Sequence, residues 1–377
     1  MDLELSQEQR AIRDTFGRFA REVLAPDAAA IDEAGEFPEK QFAAVGALGF
    51  FGMRYPAAYG GTEADRVSMC LAAEQIARGS LSVGAAATMQ ALMGTHFVFR
   101  GGDEALRQRL LVAAIRGEKI GTICITEPGA GSDLSAIATR ARREGEGFRL
   151  TGSKTFITSA PRADFFTVLA RSAAGPHEGK LSAFLVERGA PGLGVGRGIK
   201  KTGVRGSPTS EVAFDDCPAV LLGGEGEAER TLRDILVEIR TITGALAIGV
   251  AQAALDDAVA YAKTRVQFGK PIGQHQAVGL RLAEMATDLE AARHLVLSAA
   301  WLADHGRPSG KEAAMAKLGA SEAALRICDG AARVLASYGY CTDYPVERYL
   351  RDVRFTLIGG GTSEILKLVI ARELLAG

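Results

Sequence analysis

The chain has 377 residues, 47% of them hydrophobic, and a net charge of -1. That length allows two or three domains around a large core, and the balanced charge gives no ground for a nucleic-acid or membrane partner. Five cysteines without a C-x-x-C pair, together with five histidines, argue against a zinc site or a disulfide framework, so reduced thiols and a cytoplasmic setting are expected. The charged opening Met-Asp-Leu-Glu-Leu-Ser does not read as a secretory segment, and no apolar run approaches the ~20 residues of a membrane span.

The first third reads as helix. Ser6 before Gln7-Glu8-Gln9 is a capping arrangement, and Leu5, Ile12, Phe16, Phe19, Ala20 and Val23 recur near a 3.6 period until Pro26 is expected to end the stretch. A second helix is expected over 39–48, stopped by Gly49. A Gly/Pro-rich loop follows, then helices over 63–79, 82–100 and 103–116.

The middle of the chain changes period. Strands are expected at 121–125, 163–170, 181–186 and 211–214, with a hairpin across 148–158 turning at Gly152-Ser153. Short spacing between them predicts a small antiparallel barrel or sandwich. Gly192-Leu-Gly-Val-Gly-Arg-Gly198 lacks the βαβ context of a dinucleotide fingerprint and reads as a connection. Helices return over 228–265, 274–304, 308–337 and 361–375. The fold class is therefore helical with a central β domain, divided as 1–118, 119–224 and 225–377.

Cys124-Ile-Thr-Glu-Pro-Gly-Ala-Gly-Ser-Asp133 is a strand end followed by a Gly-rich turn. Gly129 and Gly131 allow close approach and positive φ, while Thr126 and Ser132 add hydroxyls that suit a planar heterocycle or a phosphate. Read alone, a structural turn is the commoner meaning. The segment resembles the T-E-P-x-x-G-S-D signature of acyl-CoA dehydrogenases. Five further stretches resemble that family in the same order: 152–158, 201–216, 265–276, 339–348 and 351–365.

The resemblance implies an N-terminal helical domain, a central β domain and a C-terminal four-helix bundle. It also implies a homo-oligomer, tetramer or dimer, with FAD held between subunits. The implied reaction removes an α-proton and a β-hydride from an acyl thioester on CoA or acyl carrier protein, and electrons leave through electron-transfer flavoprotein. By the same resemblance Ile123, Ile125, Thr126, Ser132, Phe156 and Thr158 meet the isoalloxazine. Phe156 stands where many members have Trp, which keeps the apolar face and loses an N–H. Arg265, Gln267, Phe268 and Gln276 are expected at the ADP half, Thr362 and Glu364 at the flavin, and Ser132 and Arg240 at the substrate. Where many members carry Q-x-x-G-G, this chain has Arg333-Val-Leu-Ala-Ser337, which puts close backbone contact with a neighbour's FAD in question.

The resemblance breaks at the base. α-Proton removal needs a positioned acceptor and donors for the enolate oxygen. The family's Glu stands at one of two positions, which here are Gly360 and Ile239; Gly360 keeps only its backbone N–H for the enolate. Glu238 is one residue, ~100° of helix, from the second position. It reads either as a relocated base or as a solvent-facing or CoA-side carboxylate. His96, after the acyl-pocket helix, reads as a base or as a helix C-terminal partner. Otherwise the substrate needs little help in losing its proton. Alternative activities on the same fold are a flavin oxidase or monooxygenase, a hydroxyacyl-carrier-protein dehydrogenase, and a base-less partner in a hetero-oligomer.

Overall fold

The computed structural model describes residues 4–307 and 309–376. Ser6 Oγ accepts from the Gln9 amide at 3.1 Å and the Gln9 side chain accepts from the Ser6 amide at 3.0 Å, closing a capping box on α1 (Gln7–Phe19). Pro26 does not end this stretch. A π-turn over Ala20–Leu24 carries it into α2 (Ala25–Ala34), whose first turn holds Pro26, where a missing amide is tolerated. Gly35, at φ 62, ends it instead. Then come α3 (Glu39–Ala47), α4 (Arg66–Gly79) and α5 (Leu81–Thr88), which passes through a π-turn at Met89–Met93 into α6 (Gly94–Gly101). The short α7 (Glu104–Leu106) and α8 (Val112–Ile115) flank another π-turn.

The middle of the chain forms one sheet from β1 (Gly121–Cys124), β2 (Arg140–Glu144), β3 (Gly147–Thr158), β4 (Phe165–Ser172), β5 (Leu181–Glu187), β6 (Leu193–Gly198) and β7 (Thr209–Leu221). Its order is β1-β4-β2-β3-β7-β5, and the additional β4–β5 pairing closes five strands into a ring. β1–β4 and β2–β4 are parallel; the other pairings are antiparallel. Two expectations fail here. Gly152-Ser153 is not a turn but the interior of β3, where Gly152 sits in a bulge against Thr139; the turn lies between Glu144 and Gly147. The glycine-rich 192–198 segment is not a plain connection either, because its strand pairs with β7.

The remainder is α9 (Ala228–Thr264), a hairpin of β8 (Val266–Gln267) and β9 (Lys270–Pro271), α10 (Gln276–Asp304), α11 (Gly310–Leu335), α12 (Pro345–Asp352) and α13 (Ser363–Leu375). The expected helix start at 308 lies outside the described residues. α9 packs on α10 and α11 and, across the domain boundary, on α4. Gly249 makes that crossing close: a Cβ there would lie 2.1 Å from the Glu74 carbonyl. All three regions meet at Arg351-Asp352. Arg351 pairs with Asp32 at 2.7 Å, and Asp352 accepts from the Val204 amide at 2.6 Å. No helix among the described residues is long and apolar enough to cross a membrane.

Candidate functional site

The Gly-rich loop after β1 is held from below by a buried ion pair. Lys154 Nζ, on β3, donates to the Glu127 carboxylate at 2.8 Å and to the Ile125 and Leu169 carbonyls at 3.0 and 2.7 Å. Glu127 also accepts from the Ala138 and Thr139 amides at 2.7 and 3.0 Å. A buried charge pair is stable only when its remaining donors and acceptors are met, and these are. The sequence showed both residues inside motifs but gave neither a role. The signal was a Glu just past the end of the expected strand at 121–125 and a Lys inside the expected 148–158 hairpin.

Above this pair the loop is open. Added Cβ atoms at Gly129 and Gly131 would meet nothing within 4 Å, and neither residue uses the positive φ that glycine permits. Ile123 is buried, Ile125, Thr126 and Thr158 are half-buried, and Ser132 is exposed. The β3–β7 register slips between Lys154 and Ile157, and within that bulge Phe156 takes φ 56 and stands 62% exposed. A bulge that turns an aromatic ring out of a sheet beside an open loop makes an apolar wall for a flat ligand. Thr126 and Thr158 are fixed through their backbones: Thr126 O accepts from Thr155 N at 2.9 Å, and Thr158 O from Thr122 Oγ1 at 2.6 Å.

The other expected cofactor residues lie elsewhere. Arg265 caps the end of α9 with its guanidinium 5.8 Å from the Tyr338 ring centroid. Gln267 lies in the β8–β9 hairpin. Phe268 and Gly269, at φ 53 and 80, form its turn and leave Phe268 95% exposed. Gln276 opens α10 at an exposed position. Thr362 is the N-cap of α13, accepting from Ile365 N at 3.3 Å, and Glu364 is exposed in its first turn. Arg333 is engaged with Asp329 on its own helix at 2.6 Å.

The turn before α13 holds Gly360, the first position at which the resemblance leads one to expect a base. Gly360 and Gly361 take φ 73 and 110. A Cβ at Gly360 would meet only Thr243 Oγ1, at 3.4 Å. Thr243 lies on α9 one turn after Ile239 and Arg240, which stand ~40° and ~60° to either side of it around the helix. The wholly buried Lys317 reaches the same turn from α11, its Nζ donating to the Gly361 carbonyl at 2.7 Å. Burial and the neighbouring Arg240 charge push Lys317 down to about 8. Among the described residues Arg240 forms no ion pair. Its Nε is buried without an acceptor, and burial alone lowers its proton affinity.

Glu238 and His96 belong to a different cluster, on the α4 side of α9. Glu238 pairs with Arg54 at 2.8 Å and Arg66 at 3.3 Å. It stands ~140° around the helix from Thr243. His96 Nδ1 accepts from Arg54 at 3.1 Å, so its proton sits on Nε2. Burial, and then the charges of Arg54 and Arg100, push His96 down to about 3. The His96 imidazole is thereby a poor proton acceptor, and the Glu238 carboxylate is taken up by its two ion pairs. A small cavity of about 10 Å³ lies beside this cluster, lined among others by Cys70, Leu92, Glu238 and Ala303, and Arg66 ties the cluster to Asp304 at the end of α10 at 3.4 Å. No grouping of His, Cys, Asp and Glu among the described residues is arranged to hold a metal ion.

Three family profiles match this chain in order: acyl-CoA dehydrogenase N-terminal domain over 6–118, middle domain over 122–217 and C-terminal domain over 229–375. The chain is 58% identical over 378 residues to benzylmalonyl-CoA dehydrogenase of Aromatoleum aromaticum (strain DSM 19018 / LMG 30748 / EbN1), covering 99% of this chain and 100% of that one. It superposes on butyryl-CoA dehydrogenase from Megasphaera elsdenii with a TM-score of 0.95 at 34% identity, each chain covered in full. Its likeness to the FAD complex of PigA has the same TM-score at 31% identity, again over both whole chains.

Proposed function

The chain belongs to the acyl-CoA dehydrogenase family, flavoprotein oxidoreductases that act on CH–CH groups with FAD, and we propose that its substrate is an α-carboxylated acyl-CoA of the benzylmalonyl type. The observation that carries this reading is the site around Gly360. Neither base position offers a proton acceptor, yet two cationic side chains, Arg240 and Lys317, border it.

A malonyl thioester bears a carboxylate on Cα. Breaking the bond between Cα and that carboxylate releases CO2 and leaves its electron pair in the same enolate that α-proton removal would give. Loss of a β-hydride from the enolate then yields the α,β-unsaturated thioester. The sum is one substrate oxidised by two electrons, one CO2 and one hydride transferred, with no proton to abstract. A catalytic carboxylate at Gly360 would therefore be superfluous, and it would repel the substrate's own carboxylate.

FAD, when bound, accepts the hydride at N5. Thr126, Ser132, Phe156 and Thr158 hold its ring in this reading, with Thr362 and Glu364 at the turn before α13. The Gly360 amide stabilises the enolate oxygen. Arg265, Gln267, Phe268 and Gln276 serve the ADP half of a neighbouring subunit's FAD; the protruding, almost fully exposed Phe268 supports such an assembly, a homotetramer. Electron-transfer flavoprotein is the proposed acceptor. Glu238 and His96 act as an anchor between the helical domains rather than as bases.

Anaerobic mixing with benzylmalonyl-CoA and with 3-phenylpropionyl-CoA tests the proposal. The first should bleach the flavin with release of CO2, and the second, which has no carboxylate to lose, should leave it oxidised. Equal bleaching by both would mean that a base is present after all.

A further inference from the structure

Arg240 is the unexplained group of the site. It is a half-buried guanidinium with a buried, acceptor-less Nε, on α9 ~60° around the helix from Thr243, and its charge reaches the wholly buried Lys317. Ion pairs occupy the arginines of the neighbouring cluster, Arg54 and Arg66. A half-buried cation whose Nε has no acceptor is left under-solvated, and an arriving anion would relieve that cost. The open space at the Gly360 Cβ position, bounded by Thr243 Oγ1 at 3.4 Å, gives that anion room.

We infer that Arg240, assisted by Lys317, is the receptor for the substrate's α-carboxylate and so decides between α-carboxylated and plain acyl thioesters. This rests on the malonyl-thioester reading above and adds the residue that enforces it. It also narrows the role expected of Arg240 from sequence, a contact with the substrate. Arg240 presents a forked donor to a carboxylate. When CO2 departs, the negative charge passes to the enolate within the same field, so the cations favour ground state and transition state alike. Such uniform binding appears in KM and in dissociation constants more than in kcat. Lys317 has one N–H committed to Gly361 and contributes field rather than a second fork.

The test compares malonyl-CoA with acetyl-CoA, which differ only by the α-carboxylate and lack the β-carbon needed to reduce flavin. Binding to the FAD-loaded enzyme is titrated by the flavin spectrum. Wild type should prefer malonyl-CoA. R240Q should weaken malonyl-CoA by about 10- to 100-fold, the range of a lost charged hydrogen bond, and leave acetyl-CoA within about twofold. R240K should recover part of the loss, and an unchanged FAD content checks that each variant folds. If R240Q weakens both ligands alike, or neither, Arg240 is not the carboxylate receptor. Because no turnover is read, failure of the wild type to decarboxylate benzylmalonyl-CoA would defeat the proposed reaction separately.

Discussion

Lys317 Nζ donates to the Gly361 carbonyl at 2.7 Å, so a buried ammonium fixes the turn that carries Gly360 and Gly361 ahead of α13. With Gly360 at φ 73 and only Thr243 Oγ1 near its missing Cβ, the turn presents open space next to the buried Lys317 at a position where the family resemblance leads one to expect a carboxylate. The chemistry proposed for the chain follows from that exchange.

Gly360→Glu should therefore invert the specificity. A carboxylate there faces Arg240 and Lys317, occupies the space meant for the substrate's own carboxylate and supplies a base. We expect benzylmalonyl-CoA oxidation to fall at least ~100-fold and 3-phenylpropionyl-CoA oxidation to rise by about 100-fold or more, the usual worth of a positioned general base. The left-handed φ adds a stability cost of about 1–2 kcal/mol, seen as a lower Tm. Steady-state rates on both thioesters check the exchange.

Glu238→Gln separates an anchor from a base. Removing one partner leaves Arg54 and Arg66 under-compensated in a half-buried site, so denaturant stability should drop by about 1–3 kcal/mol. The flavin-reduction rate with benzylmalonyl-CoA should stay within about fivefold of wild type, against the ~100-fold or greater loss expected of a missing general base. Stopped-flow reduction of the purified variant distinguishes the two.

Glu127→Ala should release FAD. It strips the buried Lys154 of its counter-charge and frees the Ala138 and Thr139 amides under the Gly-rich loop, a loss of about 3–5 kcal/mol. The double change with Lys154→Met removes the stranded charge and should regain part of that stability. Urea denaturation measures the regain, and the flavin-to-protein absorbance ratio reports whether the loop recovers.

His96 gives the fold an acid-sensitive element. Its pKa is about 3 in the folded protein against 6.5 as the ordinary value. The unfolded chain thus takes up a proton that the folded one refuses. The contribution is fully present above 6.5 and is lost progressively as pH falls from there toward 3. His96→Asn should flatten this part of the stability profile while lowering stability near neutrality, as followed by Tm against pH.

Much of this architecture is legible because local signals agree with the fold. The Ser6–Gln9 box starts α1, and the long apolar periods mark α9 to α11. Failures fall where a glycine or proline serves tertiary structure rather than a turn. Gly152 sits in a strand bulge against Thr139, and Pro26 stands in a first turn after a π-turn. At the site, Gly360 and Ile239 drew notice only through the resemblance, as the positions where a base was expected. The grouping of Arg240, Lys317 and Gly360 could not, since it joins residues on α9, α11 and the turn before α13 that share no motif. Nor does a sequence show that Glu238 is already held by two arginines.

The fate of the α-hydrogen tests the central claim most directly. Benzylmalonyl-CoA deuterated at Cα, turned over in ordinary water, is predicted to yield unsaturated thioester that retains the deuterium, with one CO2 per product, because only the bond to the carboxylate breaks at Cα. Product in which the α-deuterium has been replaced by solvent hydrogen would contradict it, since that outcome requires proton abstraction at Cα and hence a base.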